Sequence, residues 1–291
     1  MITHTFHLSF ITPCFCAGAS PDVAELRAPS IRGKLRWWFR VLGGSPALES
    51  EVFGSVAGDA GTSSSLMVRV RAPEAPKKWQ PIDFKPMSNP GYLLYFARAS
   101  GKGQRWVPTG ALPERTSFEM ILVWRRSPSK AARELFDLAL DAFLLLGSLG
   151  LRSTRGLGCF ECKERPFSSD LFKQTLTRIR SAAPSFIAEA GSYHGPADGL
   201  VGALGAQLRG LRTGFSAGKP GQSKPTPLGS SLPRQASAVH MRPVRISESS
   251  YGIVVFEAPA DRVLGPQSRF GAPRLKQGIP DPIVQMKSKY S

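Results

Sequence analysis

The sequence predicts an α+β fold of the ferredoxin-like type, in which helices cover one face of an antiparallel sheet. The main observation is the order of elements in residues 1–165, where a strand, a helix, several strands, an apolar helix and a last strand follow one another. The hydrophobic fraction of 42% supports a folded core, because disordered chains are less apolar. Residues 166–291 are expected to form a second, smaller domain.

The first strand and the first helix have clear sequence patterns. Apolar and polar residues alternate over Thr5–Thr12, which is typical of a half-buried strand. A helix is then predicted from Ser30, and Gly43 with Gly44 should end it.

The other elements of the first domain come from shorter patterns. Ser127 and Pro128 predict the start of the second helix as an N-cap followed by a proline, and Gly147 ends that helix. Further strands are predicted at Leu66–Val70, Tyr92–Ala97, Phe118–Trp124 and Gly156–Cys162.

The second domain combines two helices, two strands and a long loop. The helices and strands are predicted at Leu171–Ala182, Gly199–Leu211, Ala238–Ile246 and Gly252–Glu257. Residues 214–235 are rich in Gly, Pro, Ser and Lys without an apolar period, which indicates a long basic loop that becomes ordered on RNA or a partner. No Asp or Glu occurs from Gly199 to Ser247.

The chain carries a strong positive charge. Its 38 Lys and Arg residues against 21 Asp and Glu give a net charge of +17 and a pI near 10.3. A nucleic-acid partner is favoured, because each neutralised phosphate releases counterions, although a basic soluble protein without such a partner would share this composition.

The sequence has no long apolar run and no signal-peptide pattern, so the expected location is the cytoplasm. No nucleotide-binding fingerprint is found, and no cofactor is expected.

The segment Ser30–Leu42 carries two distinct faces when it is drawn as a helix at about 100° per residue. The face predicted to be buried has four apolar residues: Ile31, Leu35, Trp38 and Leu42. Beside it lies a stripe of three arginines: Arg32, Arg36 and Arg40. Gly33 and Trp37 come just beyond the stripe, and together they suit RNA, because a glycine permits close approach and an indole stacks on bases. The alternative is a solvated charged face with Gly33 packed under a neighbouring strand.

A second candidate segment is the loop Leu146–Phe160, with the sequence LGSLGLRSTRGLGCF. Its glycines would let backbone N–H groups turn toward an anion, and Arg152 and Arg155 would supply charge. The alternative is a helix-terminating turn, which accounts for Gly147 but not for the other three glycines. The helix stripe and the loop arginines are expected to form one surface, with Arg36 and Arg155 outside the core.

Four sequence blocks together resemble the RAMP family of CRISPR proteins. They are FITPCFCAGA (Phe10–Ala19), ELRAPSIRGKLRWWFR (Glu25–Arg40), EVFGS (Glu51–Ser55) and LGSLGLRSTRGLG (Leu146–Gly158). The second block is similar to the first subunit of the Cmr module, the type III-B effector complex. The resemblance implies tandem ferredoxin-like domains, with residues 1–165 and 166–291 as the two units.

The resemblance also implies a function and a set of contacts. It implies a non-catalytic subunit that contacts the 3′ part of the crRNA and the target RNA in antiviral defence, beside other Cmr subunits. Carried over by position, the RNA-binding residues would be Arg27, Ser30, Arg32, Lys34, Arg36, Trp37, Arg40, Arg152, Ser153, Arg155, Gly156 and Gly158.

The rival function is a RAMP endoribonuclease that cleaves crRNA precursor or target RNA. His4 and His7 favour it, because metal-independent RNA cleavage uses histidines as general acid and base, but a regular strand would place them on opposite faces. Asp22 lies where the cutting subunits of type III complexes carry an aspartate.

The four cysteines are interpreted as small buried residues rather than metal ligands. Cys159 and Cys162 would point to opposite faces of a regular strand, which disfavours a four-sulfur site with Cys14 and Cys16.

Overall fold

Two antiparallel sheets organise the computed structural model, which describes residues 1–18, 23–56, 61–71, 88–94, 111–194, 199–215, 227–231, 234–248 and 250–264. The elements of the first half are β1 (Ile2–Phe10), α1 (Ala28–Val41), α2 (Pro46–Phe53), β2 (Leu66–Arg71), α3 (Asn89–Leu93), β3 (Ser117–Trp124), α4 (Lys130–Leu146) and β4 (Phe160–Cys162). The first sheet has the strand order β2-β3-β1-β4, and all its neighbours are antiparallel.

The second half forms a smaller sheet and a short hairpin. Its elements are α5 (Ser169–Ala182), β5 (Ile187–His194), α6 (Leu200–Phe215), β6 (Ser230–Ser231), β7 (Arg234–Gln235), β8 (Val239–Arg245), β9 (Ser250–Glu257) and α7 (Ala260–Leu264). The sheet has the order β5-β9-β8 and is antiparallel, and β6 pairs with β7. The predicted α+β class with antiparallel sheets is thus confirmed.

The faces predicted for β1 and α1 are also confirmed. Phe6, Leu8 and Phe10 are the buried residues of β1. The four residues predicted for the buried face of α1 are all in the core, and Phe39 and Val41 join them. Alternation at period 2 and periodicity near 3.6 therefore identified the inward side chains.

Helix α1 also packs against the second half of the chain. The Trp38 ring centroid lies 5.6 Å from that of Phe256 and 6.2 Å from that of Phe186. Arg242 of β8 is buried behind them and donates from Nε to the Leu145 carbonyl oxygen at 3.2 Å, with a second bond to the Phe160 carbonyl. These contacts fix α1 at the junction between the two sheets.

The strand predicted at Tyr92–Ala97 is wrong where the structure describes it, since residues 89–93 form helix α3 and residues 95–97 lie outside the described part. The Ser88 hydroxyl accepts a hydrogen bond from the Gly91 N–H at 3.1 Å, which caps this helix. Packing on α6 holds it there, because a Cβ on Gly205 would lie 1.9 Å from the Asn89 carbonyl oxygen. This tertiary contact stabilises a helix, although the apolar residues of the segment had indicated a strand.

Other boundaries differ in smaller ways. The N-cap of α4 is Ser129 rather than Ser127, because the Ser129 hydroxyl accepts from the Ala132 N–H at 3.3 Å. The last strand of the first sheet is only Phe160–Cys162, so Gly156 and Gly158 remain in the loop. Helices α2 and α7 and strand β5 were not predicted.

The predicted basic loop at residues 214–235 is largely untested, because residues 216–226 and 232–233 lie outside the described part. At its start α6 continues to Phe215, and at its end β6 and β7 form a hairpin. Within the described ranges, none of the helices is both long enough and apolar enough to span a membrane.

Candidate nucleic-acid interface

One face of α1 is open around Gly33. Gly33 and Ser30 are exposed, and a Cβ built on Gly33 would have no other atom within 4 Å. No element in the described part of the chain packs on this glycine, so the alternative of a neighbouring strand over Gly33 is wrong for these residues. A glycine in an exposed helix interior costs about 1 kcal/mol relative to alanine, and the packing of the described residues does not offset that cost.

The arginine stripe is held by an acidic side chain that sequence reasoning missed. Arg36 Nε donates to Glu49 Oε1 at 3.0 Å, and Arg40 Nη2 donates to the same oxygen at 2.7 Å. The Glu49 side chain is only 9% exposed, and the hydrogen bonds from Arg40 and Arg36 lower its pKa. Glu49 stands in α2, and no helix was predicted there.

Arg32, the first arginine of the stripe, is tied to the same helix. It donates to the Phe53 carbonyl, and its guanidinium lies 5.9 Å from the centroid of the Phe53 ring. All three arginines of the stripe therefore contact α2, which the sequence did not predict, and their assignment to RNA binding stays a prediction. Arg36 and Arg40 keep side chains that are 36% and 57% exposed, so N–H groups not used by Glu49 can still meet a phosphate.

Helix α1 contacts the glycine loop through Lys34 and Ser153, two of the predicted RNA-binding residues. Lys34 Nζ donates to Ser153 Oγ at 2.9 Å. Lys34 is partly buried at this contact, and burial lowers the pKa of its ammonium. Arg27 and Ser30 lie exposed at the start of the same helix.

The glycines of the loop are packed inside the protein. The Gly158 N–H donates to the Pro13 carbonyl at 2.9 Å, and the Gly156 carbonyl accepts from Thr12 Oγ1 at 2.8 Å. Both residues have positive φ, 86° at Gly156 and 63° at Gly158. These glycines let the loop turn against β1 and its extension, and their assignment to RNA binding stays a prediction.

Arg155 is likewise inside rather than outside the core. Its residue surface is 6% exposed, and it donates to the Leu228 carbonyl. The loop docks on β8, where the Met241 N–H donates to the Thr154 carbonyl at 3.1 Å, and this contact buries Arg155. Burial, then Arg212 and Arg152, lowers the pKa of Arg155 to about 10, so the guanidinium stays charged at neutral pH. Arg152 is partly buried nearby, with a φ of 54°.

Three residues near the loop were not assigned to the site by sequence reasoning. Two guanidinium groups lie near the Tyr92 ring, with Arg209 Cζ 4.9 Å and Arg212 Cζ 5.2 Å from the ring centroid. Arg212 Nη1 also donates to the Tyr92 hydroxyl at 2.5 Å. The stretch without acidic residues could have indicated Arg209 and Arg212 as binding residues. Tyr92 was missed because its segment was wrongly predicted as a strand.

Trp37 lies at the edge of the junction and is partly buried. Its ring centroid is 5.0 Å from that of His240 and 5.0 Å from that of Trp38. His240 in turn stacks on Phe256 at 4.8 Å with an interplanar angle of 19°. The prediction that Trp37 is not needed for the core is corrected in part, because the ring rests on a buried aromatic stack.

We expect His240 to make the protein less stable below neutral pH. Burial, then the charges of Lys34 and Arg155, lowers the pKa of His240 to about 3 from 6.5. The unfolded chain binds the proton first, so stability is complete above pH 6.5 and falls as the pH drops toward 3, by about 1.4 kcal/mol per unit.

Thermal unfolding between pH 5 and 7 measures this effect. Hydrogen bonds from His7 help to lower the pKa of the Glu164 carboxyl from 4.5 to about 2. The pH dependence of stability that comes from Glu164 therefore falls between these two values, below the range of the scan. His240→Phe keeps an aromatic ring but cannot take a proton, so its unfolding temperature should vary less with pH. Equal slopes for the variant and the unchanged protein would contradict the assignment.

The two histidines of the rival nuclease function lie on opposite faces of β1. Phe6 and His7 are neighbours on β1 and face opposite sides, and His4 is on the side of Phe6. His7 Nδ1 lies 2.5 Å from Glu164 Oε1 at the rim of a cavity of about 770 Å³ on the open face of the first sheet. Asp22 lies outside the described residues.

Three of the four cysteines are buried. Cys14, Cys159 and Cys162 lie in the core, which confirms their interpretation as small buried residues, and Cys16 is partly exposed. Within the part of the chain that the structure describes, no group of three or more His, Cys, Asp or Glu residues is placed to hold a metal ion.

Comparison with known proteins gives matches over both sequence and fold. The model of the RAMP superfamily matches residues 7–161, which is more than half of the chain. The chain is 36% identical over 146 residues to the CRISPR system Cmr subunit Cmr1-1 of Pyrococcus furiosus, a match that covers 47% of this chain and 40% of that protein. It is 28% identical over 176 residues to subunit Cmr1-2 of the same organism, covering 53% and 91%. The match to the first relative thus spans less than half of its length.

Two solved structures share the fold. The crystal structure of Cmr1 from Pyrococcus furiosus in the apo form superposes with a TM-score of 0.57 at 23% identity, covering 93% of this chain and 92% of that one. A chain of the type III-B Cmr-beta complex bound to cognate target RNA, determined by cryo-electron microscopy, superposes with a TM-score of 0.55 at 11% identity, covering 87% and 94%.

Proposed function

This chain belongs to the RAMP superfamily, and on that premise we propose that it is a non-catalytic RNA-binding subunit of a type III-B (Cmr) CRISPR ribonucleoprotein. In this role it contacts the 3′ part of the crRNA and the target RNA, and other Cmr subunits flank it. The similarity to the Cmr subunits of Pyrococcus furiosus supports the assignment, as does the net charge of +17.

The observation that carries the proposal is the open face of α1 at Gly33. Exposed Arg27 and Ser30 lie on one side of it and Trp37 on the other, while the Lys34–Ser153 bond joins this helix to the glycine loop. A nucleotide backbone can approach the helix closely at Gly33, because nothing in the described part of the chain occupies that space. Arginine and serine donors then meet phosphates, and the indole offers a stacking surface.

We further propose that the fold is a tandem of ferredoxin-like units. The first half has the connectivity β1-α1-β2-β3-α4-β4 and the sheet order β2-β3-β1-β4, which is that of a βαββαβ unit once α2 and α3 are counted as insertions. The second half has β5-α6-β8-β9 and the order β5-β9-β8. This matches the first four elements of the same unit, with α7 following where its second helix would begin.

RNA binding by the purified chain tests the function. Labelled single-stranded RNA should bind, and log affinity should fall linearly with log salt, because counterion release contributes most of the binding free energy. Arg27→Ala should reduce the salt slope by about one, the signature of one phosphate contact. Arg180→Ala on α5 is the matched control, since it removes one exposed arginine away from the site. Affinity that does not change with salt would refute the proposal.

The proposal also states that the chain does not cut RNA. Incubation of the protein with labelled crRNA precursor or target RNA, with and without divalent metal, should leave the RNA intact. Cleavage that disappears in His7→Ala would instead establish the endoribonuclease alternative. His7 is chosen because it pairs with Glu164 beside a cavity, where a histidine could act as a general acid or base.

Gly33→Ala should change stability and binding in opposite directions. A Cβ at this position meets nothing within 4 Å, so the helix should gain about 1 kcal/mol of stability. The methyl group would occupy the space in which we place the RNA backbone, so RNA affinity should fall. Thermal unfolding and an RNA titration on the same sample measure both effects. Unchanged RNA affinity in this variant would remove the observation on which the proposal rests.

A further inference from the structure

Four arginines gather around Tyr92 at the place where the glycine loop meets α6. Arg152 and Arg155 come from the loop, and Arg209 and Arg212 from the last turns of α6. The loop touches α6 at Gly156, where a Cβ would lie 2.6 Å from Leu204 Cδ2. Burial and then the charge of Arg212 lower the pKa of both loop arginines, and Arg152 also lowers the pKa of Arg155. The group is a local concentration of positive charge, and two of its members, Arg209 and Arg212, belong to a stretch of 49 consecutive residues, Gly199 to Ser247, without an acidic side chain.

Close helix packing builds this arginine cluster. Gly205 of α6 lies against the backbone of Asn89, where a Cβ would come within 1.9 Å of the carbonyl oxygen. This contact brings α3 onto α6 and places the Tyr92 ring near the guanidinium groups of Arg209 and Arg212. The Tyr92 hydroxyl accepts a bond from Arg212, so its own proton remains to be donated.

A buried donor without a partner lies in the same cluster. Arg155 is 6% exposed, and its Nη1 has no hydrogen-bond partner among the described residues, while Nη2 donates to the Leu228 carbonyl. Leaving a buried charged donor unpaired destabilises the folded protein, and repulsion from the neighbouring arginines adds to that cost. An anion that accepts from Nη1 would remove both penalties.

We propose that this arginine cluster binds a terminal phosphate monoester, at the end of a bound RNA or on a nucleotide. A monoester carries up to two negative charges, which offsets several guanidinium groups better than the single charge of an internal phosphodiester. It also has one substituent instead of two, so it can reach the buried Arg155 from one side. For an RNA end, the inference rests on the proposed RNA-binding function.

The test compares one single-stranded RNA in three forms: with a 5′-phosphate, with a 3′-phosphate, and with hydroxyl groups at both ends. One phosphorylated form should bind the full chain about tenfold tighter than the hydroxyl form, the effect of added charge-assisted hydrogen bonds. Arg212→Ala should remove that difference, since Arg212 is exposed and can be replaced without disturbing the core. Arg180→Ala on α5 should leave the difference unchanged.

Adenosine monophosphate and adenosine form a separate arm that distinguishes a free nucleotide from an RNA end. Binding of the monophosphate but not of adenosine supports the site and identifies a nucleotide as one source of the phosphate. Equal binding of all three RNA forms, together with no binding of the monophosphate, would overturn the inference. So would an Arg212→Ala variant that weakens all three forms equally, because the cluster would then bind internal phosphates. If no RNA bound in any form, the proposed function would fail while the nucleotide arm still tested the cluster.

Discussion

Gly158→Ala is expected to destabilise the protein by about 3 kcal/mol or more, the largest effect of any single methyl group in the loop. The residue has a φ of 63°, and a Cβ there would lie 1.9 Å from the carbonyl oxygen of Leu149. The backbone cannot move away without breaking hydrogen bonds, because the Leu149 N–H donates to the Gly158 carbonyl at 2.9 Å and the Gly158 N–H donates to the Pro13 carbonyl at 2.9 Å. Urea or thermal unfolding measures the loss.

Gly61→Ala provides the matched control for this substitution. A Cβ on Gly61 would meet only the Ser55 carbonyl oxygen at 3.5 Å, an ordinary contact, so its stability should change by less than about 1 kcal/mol. A Gly158→Ala protein with the stability of Gly61→Ala would contradict the assignment of Gly158 as a packing residue. It would also reopen the sequence interpretation in which the glycine amides face a phosphate.

Gly33 and Gly158 show how similar sequence signals lead to different physical roles. Both lie in blocks that resemble the RAMP family. Gly33 was interpreted as a position that lets RNA approach closely, and Gly158 as one that lets backbone N–H groups turn toward a phosphate. In the structure, Gly33 faces open space, whereas Gly158 turns the backbone against the Pro13 carbonyl. A glycine indicates close approach of some backbone, but the sequence does not say whether that backbone belongs to a ligand or to the protein itself.

Local periodicity was sufficient for the elements that form the core. The inward faces of β1 and α1 were predicted correctly because their apolar residues repeat at the period of the element, and burial follows that repeat. The strand and helix that precede the glycine loop were found for the same reason, since β3 and α4 are long and strongly apolar.

The long-range contacts of the candidate site could not be predicted in this way. Arg36 and Arg40 looked like a solvated stripe because their partner, Glu49, belongs to a short helix without a strong periodic signal. Arg155 looked exposed because loop arginines usually are, yet docking of the loop on β8 buries it. Each error concerns a residue whose environment is set by a different element of the chain.

Glu49 also affects how RNA would meet α1. Its carboxylate holds Arg36 and Arg40 in place, so a phosphate near them either uses their remaining N–H groups or displaces the carboxylate. The first route keeps both ion pairs and does not leave the buried Glu49 carboxylate without a partner, so it has the smaller free-energy cost. The main phosphate contacts of the helix are therefore expected at Arg27 and Ser30, which are exposed, with the paired arginines in a supporting role.

Trp37 is the side chain of this face with the largest expected contribution to RNA affinity. Its ring is braced by His240 on one side and by the edge contact with Trp38, so little conformational entropy would be lost when a base stacks on it. The same bracing means that its removal affects both binding and stability. The two effects must be measured separately.

Trp37→Ala should weaken RNA binding by about 1–3 kcal/mol while leaving the salt slope nearly unchanged, because stacking on a base does not release counterions. Trp37→Phe keeps an aromatic face against His240 and should lose less affinity. The unfolding temperature of Trp37→Ala should also fall, because the ring packs on a buried stack, so RNA titrations are made well below it. A variant that unfolds at lower temperature yet binds RNA with full affinity when folded would show that Trp37 serves only the junction between the sheets. A reduced salt slope would show that the loss came from a phosphate contact rather than from stacking.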